Sequence, residues 1–339
     1  MTMHVVPSAG PAAPSAVTSS PIVDAFHLAI AMGEAHAGAT APNPPVGCAV
    51  LDAHGQLLAC AAHQKAGSPH AEASAIEACR RAGVVDRIHT IVVTLEPCNH
   101  LGHTPPCVDA ILTTPARAVW IGARDPNPRV AGGGAARLAA LGLAVGFLEQ
   151  LEHPHAPELS QAARRMIAPF AVWSRTGRPW LTLKQAIAAD GGMIPPVGRK
   201  TFTSQQSLVL AHRLRRRADA IITGSGTILA DEPAFTVRHV PDHAGKHRRL
   251  AILDRRGRTP PEYVEAAKAR GFDVGVHTDI PKLLAELGGG GALEALVEAG
   301  PTVHAAFLDQ DLWEERVIIR QSAVAGGPDG VDVHTRRPV

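Results

Sequence analysis

Apolar residues in the first half of the chain change repeatedly between helical spacing and short continuous runs. Helical spacing predicts helices at 22–37, 72–81, 106–112 and 135–141. The continuous runs predict strands at 46–51, 57–62, 88–95, 119–122 and 143–148. Strands that alternate with helices in this way favour an α/β layered domain.

A second alternating pattern follows a polar segment that is helical in part. It predicts strands at 180–186, 220–223, 250–253 and 274–277, and helices at 207–217 and 293–298. The glycine run at 288–291 is predicted to be a flexible loop. We therefore expect two domains, at 21–149 and 178–339, joined by a linker helix at 150–177.

The first 20 residues contain no Asp, Glu, Lys or Arg and are rich in Ala, Pro and Ser. This composition predicts a disordered tail at 1–20, and it lacks the basic start of a signal peptide. No later apolar run reaches the length of a membrane span. We therefore predict a protein without a membrane partner.

Composition, net charge and cysteine count limit the classes of protein to which the chain can belong. The chain has 339 residues, of which 45% are hydrophobic and 19% charged, as in ordinary globular proteins. A net charge of +2 gives no reason to expect nucleic acid as a partner. Five cysteines are an odd number, which fits a reducing cytoplasm better than a disulfide framework. The sequence leaves open whether the chain forms a homo-oligomer.

Candidate metal ligands lie close together in the chain. His70, Cys98 and Cys107 each follow a proline. One imidazole and two thiolates are the nitrogen and sulfur donors that zinc prefers. Three protein ligands leave one tetrahedral position open for water, which is typical of a catalytic site.

Glu72 lies two residues after His70, where its carboxylate can reach that water without binding the metal. His-x-Glu followed by Pro-Cys and a second Cys is the signature of the zinc nucleobase deaminases. Zinc lowers the pKa of bound water to about 7, and a carboxylate can carry the proton to the ring nitrogen and the departing amine. The competing interpretation is a pair of buried thiols beside an unrelated His-x-Glu, and the short ordered span disfavours it.

The first domain resembles the bifunctional deaminase–reductases of riboflavin biosynthesis. Eight residues separate Cys98 from Cys107, where many zinc deaminases have two. Other shared segments are Pro42-Asn43-Pro44-Pro45-Val46-Gly47, His63-Gln64-Lys65-Ala66-Gly67, Thr94-Leu95-Glu96-Pro97-Cys98 and Asp125-Pro126-Asn127-Pro128.

This resemblance implies a cytidine-deaminase-like three-layer domain that deaminates 2,5-diamino-6-(5-phosphoribosylamino)pyrimidin-4-one. It also implies that His70, Cys98 and Cys107 bind Zn²⁺, that Glu72 is the proton shuttle, and that Asn43 contacts the substrate. Taken alone, Asn43 between two prolines would be interpreted as a turn residue. His103 stands where the family usually has arginine.

The second domain resembles the reductase domain of the same family, which has a dihydrofolate-reductase-like α/β fold and uses NADPH to reduce the ribosyl group to ribityl. Shared segments are Leu183-Lys184, Asp190-Gly191, Asp231-Glu232-Pro233, Thr236-Val237-Arg238 and Val297-Glu298-Ala299-Gly300-Pro301. The resemblance implies two sets of site residues. Ala186, Thr227 and Asp231 would face the cofactor, and Arg215, Phe235, Arg238 and Glu298 would face the phosphorylated pyrimidine.

This second domain departs from the family pattern in ways that predict a shortened domain. Residues 195–203 lack the usual serine and tryptophan, and the chain ends soon after residue 328, with little length for final strands. The alternative prediction is therefore an active deaminase whose degenerate reductase domain serves for docking or oligomerisation. Arginines at 213 and 215–217, with His212, form a basic cluster that we interpret mostly as a solvated helix face.

Two further hypotheses belong to other classes of protein. A nucleic-acid base editor needs a basic, aromatic surface, and this chain has one Tyr, four Trp and seven Phe. A non-enzymatic zinc scaffold needs no open coordination position and no carboxylate beside it. The sequence favours the enzyme over both.

Overall fold

The structure is a computed structural model that describes residues 20–99, 105–127, 133–193, 201–324 and 327–336. The predictions for the tail at 1–19, for His103 and for 194–200 concern residues outside these ranges. Within them, no helix combines the length and the apolar character that crossing a membrane requires.

The first domain is built on a five-stranded sheet in the order β2-β1-β3-β4-β5. Strand β1 pairs antiparallel with β2 and β3, and β3, β4 and β5 are parallel to one another. Its elements are α1 (Pro21–Ala35), β1 (Gly47–Leu51), β2 (Leu57–Ala62), α2 (Ala71–Arg81), β3 (Thr90–Val93), α3 (Cys107–Leu112), β4 (Ala118–Ile121), α4 (Gly133–Ala140) and β5 (Ala144–Phe147).

Helices cover both faces of this sheet. Every residue of β1 is buried, and β1 packs against both α1 and α2. A strand that is buried at every position must be covered on both faces, because successive side chains point to opposite sides. Helix α1 also packs against the long helix α5 (Ala156–Thr176), and α2 packs against α3. The predicted three-layer α/β domain is confirmed.

The second domain has a seven-stranded sheet in the order β12-β11-β6-β10-β7-β8-β9. All neighbouring pairs are parallel except β11 with β12. Its elements are β6 (Trp180–Ile187), α6 (Gln205–Arg217), β7 (Ala220–Gly224), α7 (Ser225–Asp231), β8 (Arg248–Leu253), α8 (Pro261–Ala269), β9 (Phe272–His277), α9 (Ile280–Gly289), β10 (Glu294–Val297), α10 (Pro301–Asp309), β11 (Glu315–Arg320) and β12 (Gly330–Thr335).

Apolar residues fill both faces of this second sheet. On β7, Ala220 and Ile222 belong to a cluster with Leu283 and Phe307, whereas Ile221 belongs to a second cluster with Tyr263. This alternation along one strand places helices on the two sides of the sheet. The predicted α/β class of the second domain is confirmed.

The helix predicted at Leu293–Glu298 is wrong, because these residues form β10. Leucine, alanine and glutamate favour helices, but β10 is held between β6 and β7, with Leu296 opposite Thr182 and Ile221. A short apolar run does not show from its own pattern whether it is a buried strand or a buried helix. Here, pairing with β6 and β7, which are distant in the sequence, makes these residues a strand.

Two other expectations for the second domain are also corrected. The glycine run at 288–291 is not simply a loop, since α9 continues to Gly289. Gly288 fits there because a Cβ atom would lie 1.8 Å from the carbonyl oxygen of Gly177. The chain also has enough length for final strands, because β11 pairs with β6 and β12 pairs with β11.

Candidate active sites

Two of the three predicted zinc ligands lie at the starts of helices, and the third lies in the loop that follows a strand. His70 is the N-cap residue of α2, Cys107 is the first residue of α3, and Cys98 lies in the loop after β3. The Nδ1 atom of His70 lies 3.2 Å from Sγ of Cys107 and 3.6 Å from Sγ of Cys98. Their ligand atoms all lie within 4.8 Å of one another.

This geometry fits a tetrahedral zinc ion. Zinc–nitrogen and zinc–sulfur bonds of ordinary length place a nitrogen and a sulfur about 3.6 Å apart around such an ion. Both distances from His70 are close to that value. Within the described residues, this is the cluster of His, Cys, Asp or Glu side chains that could hold a metal ion. The predicted zinc set is therefore brought together.

The two sulfurs differ in their protonation. A hydrogen bond from the Cys107 thiol, followed by those from His70 and from the Cys107 backbone N–H, lowers the pKa of Cys98 to about 4. The same hydrogen bond, with burial, raises the pKa of Cys107. Of the two sulfurs, Cys98 is thus the one that the site favours as a thiolate. A bound divalent cation makes the second one a thiolate as well.

Glu72 lies in the first turn of α2, two residues after His70, with a relative exposure of 3%. Burial raises the pKa of its carboxyl group, and the negative charge on Cys98 adds to that effect. A carboxyl group with a raised pKa accepts a proton more readily than an ordinary carboxylate and can then return it. This is the property that the predicted proton shuttle needs.

His63 is a residue of the site to which the sequence interpretation gave no role. Its relative exposure is 2%, its ring packs edge-on against His70 with centroids 5.3 Å apart, and its Nδ1 lies 3.1 Å from the carbonyl oxygen of Pro69. Its Nε2 lies 3.4 Å from Nδ2 of Asn43. His63 thus connects Asn43, the predicted substrate contact, with the metal ligand.

The second candidate site is a cleft of about 580 Å³ between α6, α7 and the ends of β6 and β10. At its base, Arg215 donates to both carboxylate oxygens of Glu298 at 2.6 and 2.8 Å. Lys184 lies 3.5 Å from the same carboxylate. Burial alone would raise the pKa of Glu298, but these two cations outweigh it and hold the pKa at about 2.

All the site residues predicted for the second domain line this cleft: Ala186, Arg215, Thr227, Asp231, Phe235, Arg238 and Glu298. Phe235 is 2% exposed and has a positive φ of 53°. A bulky residue in this conformation is a strained position of the kind found at functional sites. Lys184 was missed, although one charged residue inside an apolar strand was a usable signal.

A second cleft of about 550 Å³ adjoins the first at Thr227 and Asp231. It runs along the start of α10 at Gly300 and the loop after β8, where Arg255, Arg256 and Arg258 line it. Thr227 accepts a hydrogen bond from the N–H of Gly300 at 2.9 Å. Two of the three predicted cofactor contacts thus lie where the two clefts meet.

The basic cluster on α6 is mostly not a solvated face, so that prediction is wrong. Only Arg213 is exposed, and His212 is buried with its Nδ1 accepting from the N–H of Arg238 at 2.8 Å. Arg217 binds Glu294 at 3.1 Å, and Arg216 donates to the carbonyl oxygen of Ala35 at 2.8 Å. The cause is tertiary, because α6 lies between its own sheet and the first domain.

Comparison with known proteins agrees with this two-site architecture. The family model "Cytidine and deoxycytidylate deaminase zinc-binding region" matches residues 22–123, and the "RibD C-terminal domain" matches residues 179–336. The riboflavin biosynthesis protein RibD of Mycobacterium tuberculosis is 35% identical over 311 residues, which are 91% of this chain and 87% of that protein. The chain belongs to the RibD family. RibD of Escherichia coli K12 is 32% identical over 87% of this chain and 86% of its own length.

Solved RibD structures share the fold across both domains. Form 1 of Acinetobacter baumannii RibD is 29% identical with a TM-score of 0.75, and covers 91% of this chain and 88% of its own. The diaminohydroxyphosphoribosylaminopyrimidine deaminase/5-amino-6-(5-phosphoribosylamino)uracil reductase of Thermotoga maritima is 28% identical, with a TM-score of 0.77 and the same two coverages. The predicted resemblance and both halves of the predicted fold are confirmed.

Proposed function

We propose that this RibD protein catalyses two consecutive steps of riboflavin biosynthesis. The first is hydrolytic deamination of 2,5-diamino-6-(5-phosphoribosylamino)pyrimidin-4-one, and the second is NADPH-dependent reduction of the ribosyl group to ribityl. One observation carries the proposal, namely the close approach of His70, Cys98 and Cys107 beside buried Glu72. The 35% identical relative, matched over most of both chains, supports the assignment to this pathway.

In the first step, His70, Cys98 and Cys107 would hold zinc, which when bound makes water nucleophilic at neutral pH. Glu72 would take a proton from that water and deliver protons to the ring nitrogen and then to the departing amine. Asn43 would hold the pyrimidine through its amide, with His63 fixing the orientation of that amide. Water adds to the ring carbon and ammonia leaves, so the step is a hydrolysis.

In the second step, the substrate would occupy the cleft that Arg215, Phe235, Arg238 and Glu298 line. Three of the Arg215 N–H directions are used by Glu298 and by the carbonyl oxygen of Thr236. Arg238 makes a side-chain hydrogen bond to Thr236 and is more exposed. We therefore assign the phosphate mainly to Arg238, because a guanidinium with unused donors pairs well with phosphate oxygens.

The cofactor would lie across the meeting point of the two clefts, against Ala186, Thr227 and Asp231. NADPH when bound would supply the hydride that reduces the anomeric carbon, while the ring oxygen leaves that carbon and takes up a proton. Retention of the Arg215–Glu298–Lys184 network argues against a degenerate domain. The match of the RibD C-terminal domain to residues 179–336 also disfavours the alternative of a deaminase with a mere docking module.

The organisation around these steps is also part of the proposal. We place the domains at 21–149 and 178–339, and α5 supports a linker helix at 150–177. Five free cysteines support a reducing cytoplasm as the location. Size-exclusion chromatography with light scattering at several concentrations tests for a homo-oligomer.

Ammonia release from the phosphoribosyl-diaminopyrimidinone, with zinc-loaded and with chelator-treated protein, tests the first step. Absorbance of NADPH, with the already deaminated pyrimidine as substrate, tests the second step in a separate cuvette. We expect both activities, and loss of only the first when zinc is removed. Deamination without any NADPH oxidation would favour the docking-module alternative.

A further inference from the structure

We propose that three side chains of the reductase domain, Lys246, Arg216 and His243, position the substrate-binding loop of the deaminase domain. The inference rests on the proposed function, because it assigns Asn43 to the deamination substrate. The loop in question is residues 36–43, which connects the end of α1 to Asn43. We call the three side chains the interdomain clamp.

The clamp binds carbonyl oxygens at the C-terminal end of α1 and just beyond it. Arg216 donates to Ala35 at 2.8 Å, and His243 Nε2 donates to Ala37 at 2.9 Å. Lys246 Nζ donates to the carbonyl oxygen of Gly38. The last carbonyls of a helix lack intrahelical partners and carry partial negative charge, so cationic and N–H donors stabilise this end.

Lys246 is the central member of the clamp. Its side chain is 8% exposed, and its ammonium group also binds the carbonyl oxygen of Arg217 at 2.8 Å and a carboxylate oxygen of Asp219 at 3.0 Å. All three donor directions of the ammonium are therefore satisfied inside the interface. A lysine buried this deeply is held in one place, and it fixes Gly38 against the end of α6.

The backbone at Gly38 is adapted to this contact. Its φ is +87°, and a Cβ atom there would lie 2.4 Å from the carbonyl oxygen of Arg217. Only glycine allows the two domains to approach this closely in this conformation. The contact is therefore between backbones, which leaves little freedom for the loop to shift.

Asn43 follows Gly38 by five residues, and hydrogen bonds connect the segment between them. The N–H of Ala39 binds the carbonyl oxygen of His36 at 2.9 Å, and that of Asn43 binds Thr40 at 2.9 Å. The Asn43 amide then meets His63, whose ring packs on His70. A displacement at the clamp would thus be passed to the predicted substrate contact through this short hydrogen-bonded segment.

The clamp makes a specific prediction about kinetics. Loosening Asn43 weakens substrate binding without removing the metal or Glu72, so KM for deamination rises more than kcat falls. Couplings of this kind typically change an equilibrium by about 3- to 30-fold. Zinc content and the KM for NADPH stay unchanged, because neither the zinc ligands nor the cofactor contacts touch the clamp.

The experiment compares full-length wild-type protein with Lys246→Met, Lys246→Arg and Arg216→Met. Arg216→Met is included because its guanidinium reaches only Ala35 and His243, so it keeps the test decisive if Lys246→Met fails to fold. The matched control is Lys268→Met, an exposed lysine on α8 that pairs with Glu265. Ammonia release, NADPH oxidation with the deaminated pyrimidine, zinc content and Tm are measured for each.

We expect a KM for deamination raised by about 3- to 30-fold in Lys246→Met and Arg216→Met, partial recovery in Lys246→Arg, and wild-type values in Lys268→Met. An unchanged KM in the two folded variants would overturn the inference. An equal loss of both activities together with a lower Tm would overturn it too, since that pattern shows only a structural role. Failure of wild-type protein to release ammonia would instead refute the proposed function.

Discussion

At the scale of single residues, the proposed deamination depends on which side chains of the site are protonated. Cys98 has its pKa lowered to about 4 by hydrogen bonds from Cys107 and His70, whereas burial raises the pKa of Glu72. Two groups of the same site thus have opposite tendencies, one to stay charged and one to take up a proton. Metal binding and proton transfer can therefore be assigned to different side chains.

Replacing Glu72 with glutamine tests that division directly. We expect Glu72→Gln to reduce ammonia release by about 10²- to 10⁴-fold, because an amide cannot carry the proton. Zinc content should not change, since Glu72 is not a ligand. Glu77→Gln on the exposed face of the same helix is the matched control, and its activity should equal that of wild type. Ammonia release by Glu72→Gln at the wild-type rate would contradict the assigned role.

The Arg215–Glu298–Lys184 network predicts a loss of stability in acid. The folded-state pKa of Glu298, about 2, lies below its ordinary value of 4.5, so the carboxylate contributes stability above pH 4.5. That contribution is lost as the pH falls from 4.5 towards 2, at about 1.4 kcal/mol for each unit of difference in pKa. Thermal unfolding between pH 6 and 3 measures it.

Glu298→Gln is the matched variant for this acid dependence. It should be less stable than wild type at pH 6, because Arg215 loses its partner, and it should show a flatter decline of Tm towards pH 3. Parallel curves for the two proteins would show that Glu298 is not the titrating group.

The sequence pointed to His70, Cys98 and Cys107 as candidate zinc ligands because they lie in one short span, and the structure brings their ligand atoms within 4.8 Å of one another. It did not predict the role of His63, whose contacts with Asn43 and His70 are set by how strand β2 and the following loop fold back. The sequence did mark His63 within the shared segment His63-Gln64-Lys65-Ala66-Gly67, but it did not show which residues His63 contacts. The contacts around a site are thus harder to predict from a sequence than the metal ligands themselves.

At the scale of elements, the loop that carries Cys98 is held by the start of α4. Glu96 accepts hydrogen bonds from the N–H groups of Ala135 at 3.1 Å and Asp125 at 3.3 Å. Gly134 lies so close that a Cβ atom there would be 1.9 Å from the carbonyl oxygen of Pro97. Helix α4 therefore sets the position of a metal ligand that it does not contain.

Gly134→Ala should consequently weaken metal binding. The added methyl group must displace Pro97 and with it Cys98, so we expect zinc affinity to fall by about 10- to 100-fold and stability by about 1–3 kcal/mol. Gly133→Ala is the control, because its Cβ would meet no atom closer than 3.7 Å. Competition with a chromophoric chelator measures the affinity, and equal affinities of the two variants would refute this account of α4.

The first four elements of the chain were predicted well, whereas a short buried strand and several helices of the second domain were not. The α1, β1, β2 and α2 predictions agree with the structure to within about two residues. Strand β10 was predicted as a helix because its four residues gain strand geometry only by pairing with β6 and β7. Helices α7, α8 and α10 were missed, and α9 was missed although Ile280, Leu283, Leu284 and Leu287 have helical spacing after Asp279.

At the scale of the whole molecule, two α/β domains with separate sites are joined by α5 and by the interdomain clamp. The clamp joins Lys246 to Gly38, which lie 208 residues apart in the sequence. A local sequence pattern cannot predict a contact between residues so far apart. The family resemblance supplied the order of the domains, and the structure supplies how the second domain contacts the loop at residues 36–43 of the first. Under the proposal that Asn43 contacts the substrate, that interdomain contact gives a physical reason for having both activities in one chain.

The central claim is that one polypeptide hydrolyses the amino group first and reduces the sugar second. The most direct measurement follows ammonia and NADPH together, with zinc-loaded protein and the phosphoribosyl-diaminopyrimidinone, adding NADPH only after ammonia release has stopped. We predict ammonia release without NADPH, followed by oxidation of one NADPH for each ammonia, and neither signal after zinc has been removed. Absence of ammonia from zinc-loaded protein, or NADPH oxidation by zinc-free protein that has released no ammonia, would contradict the account.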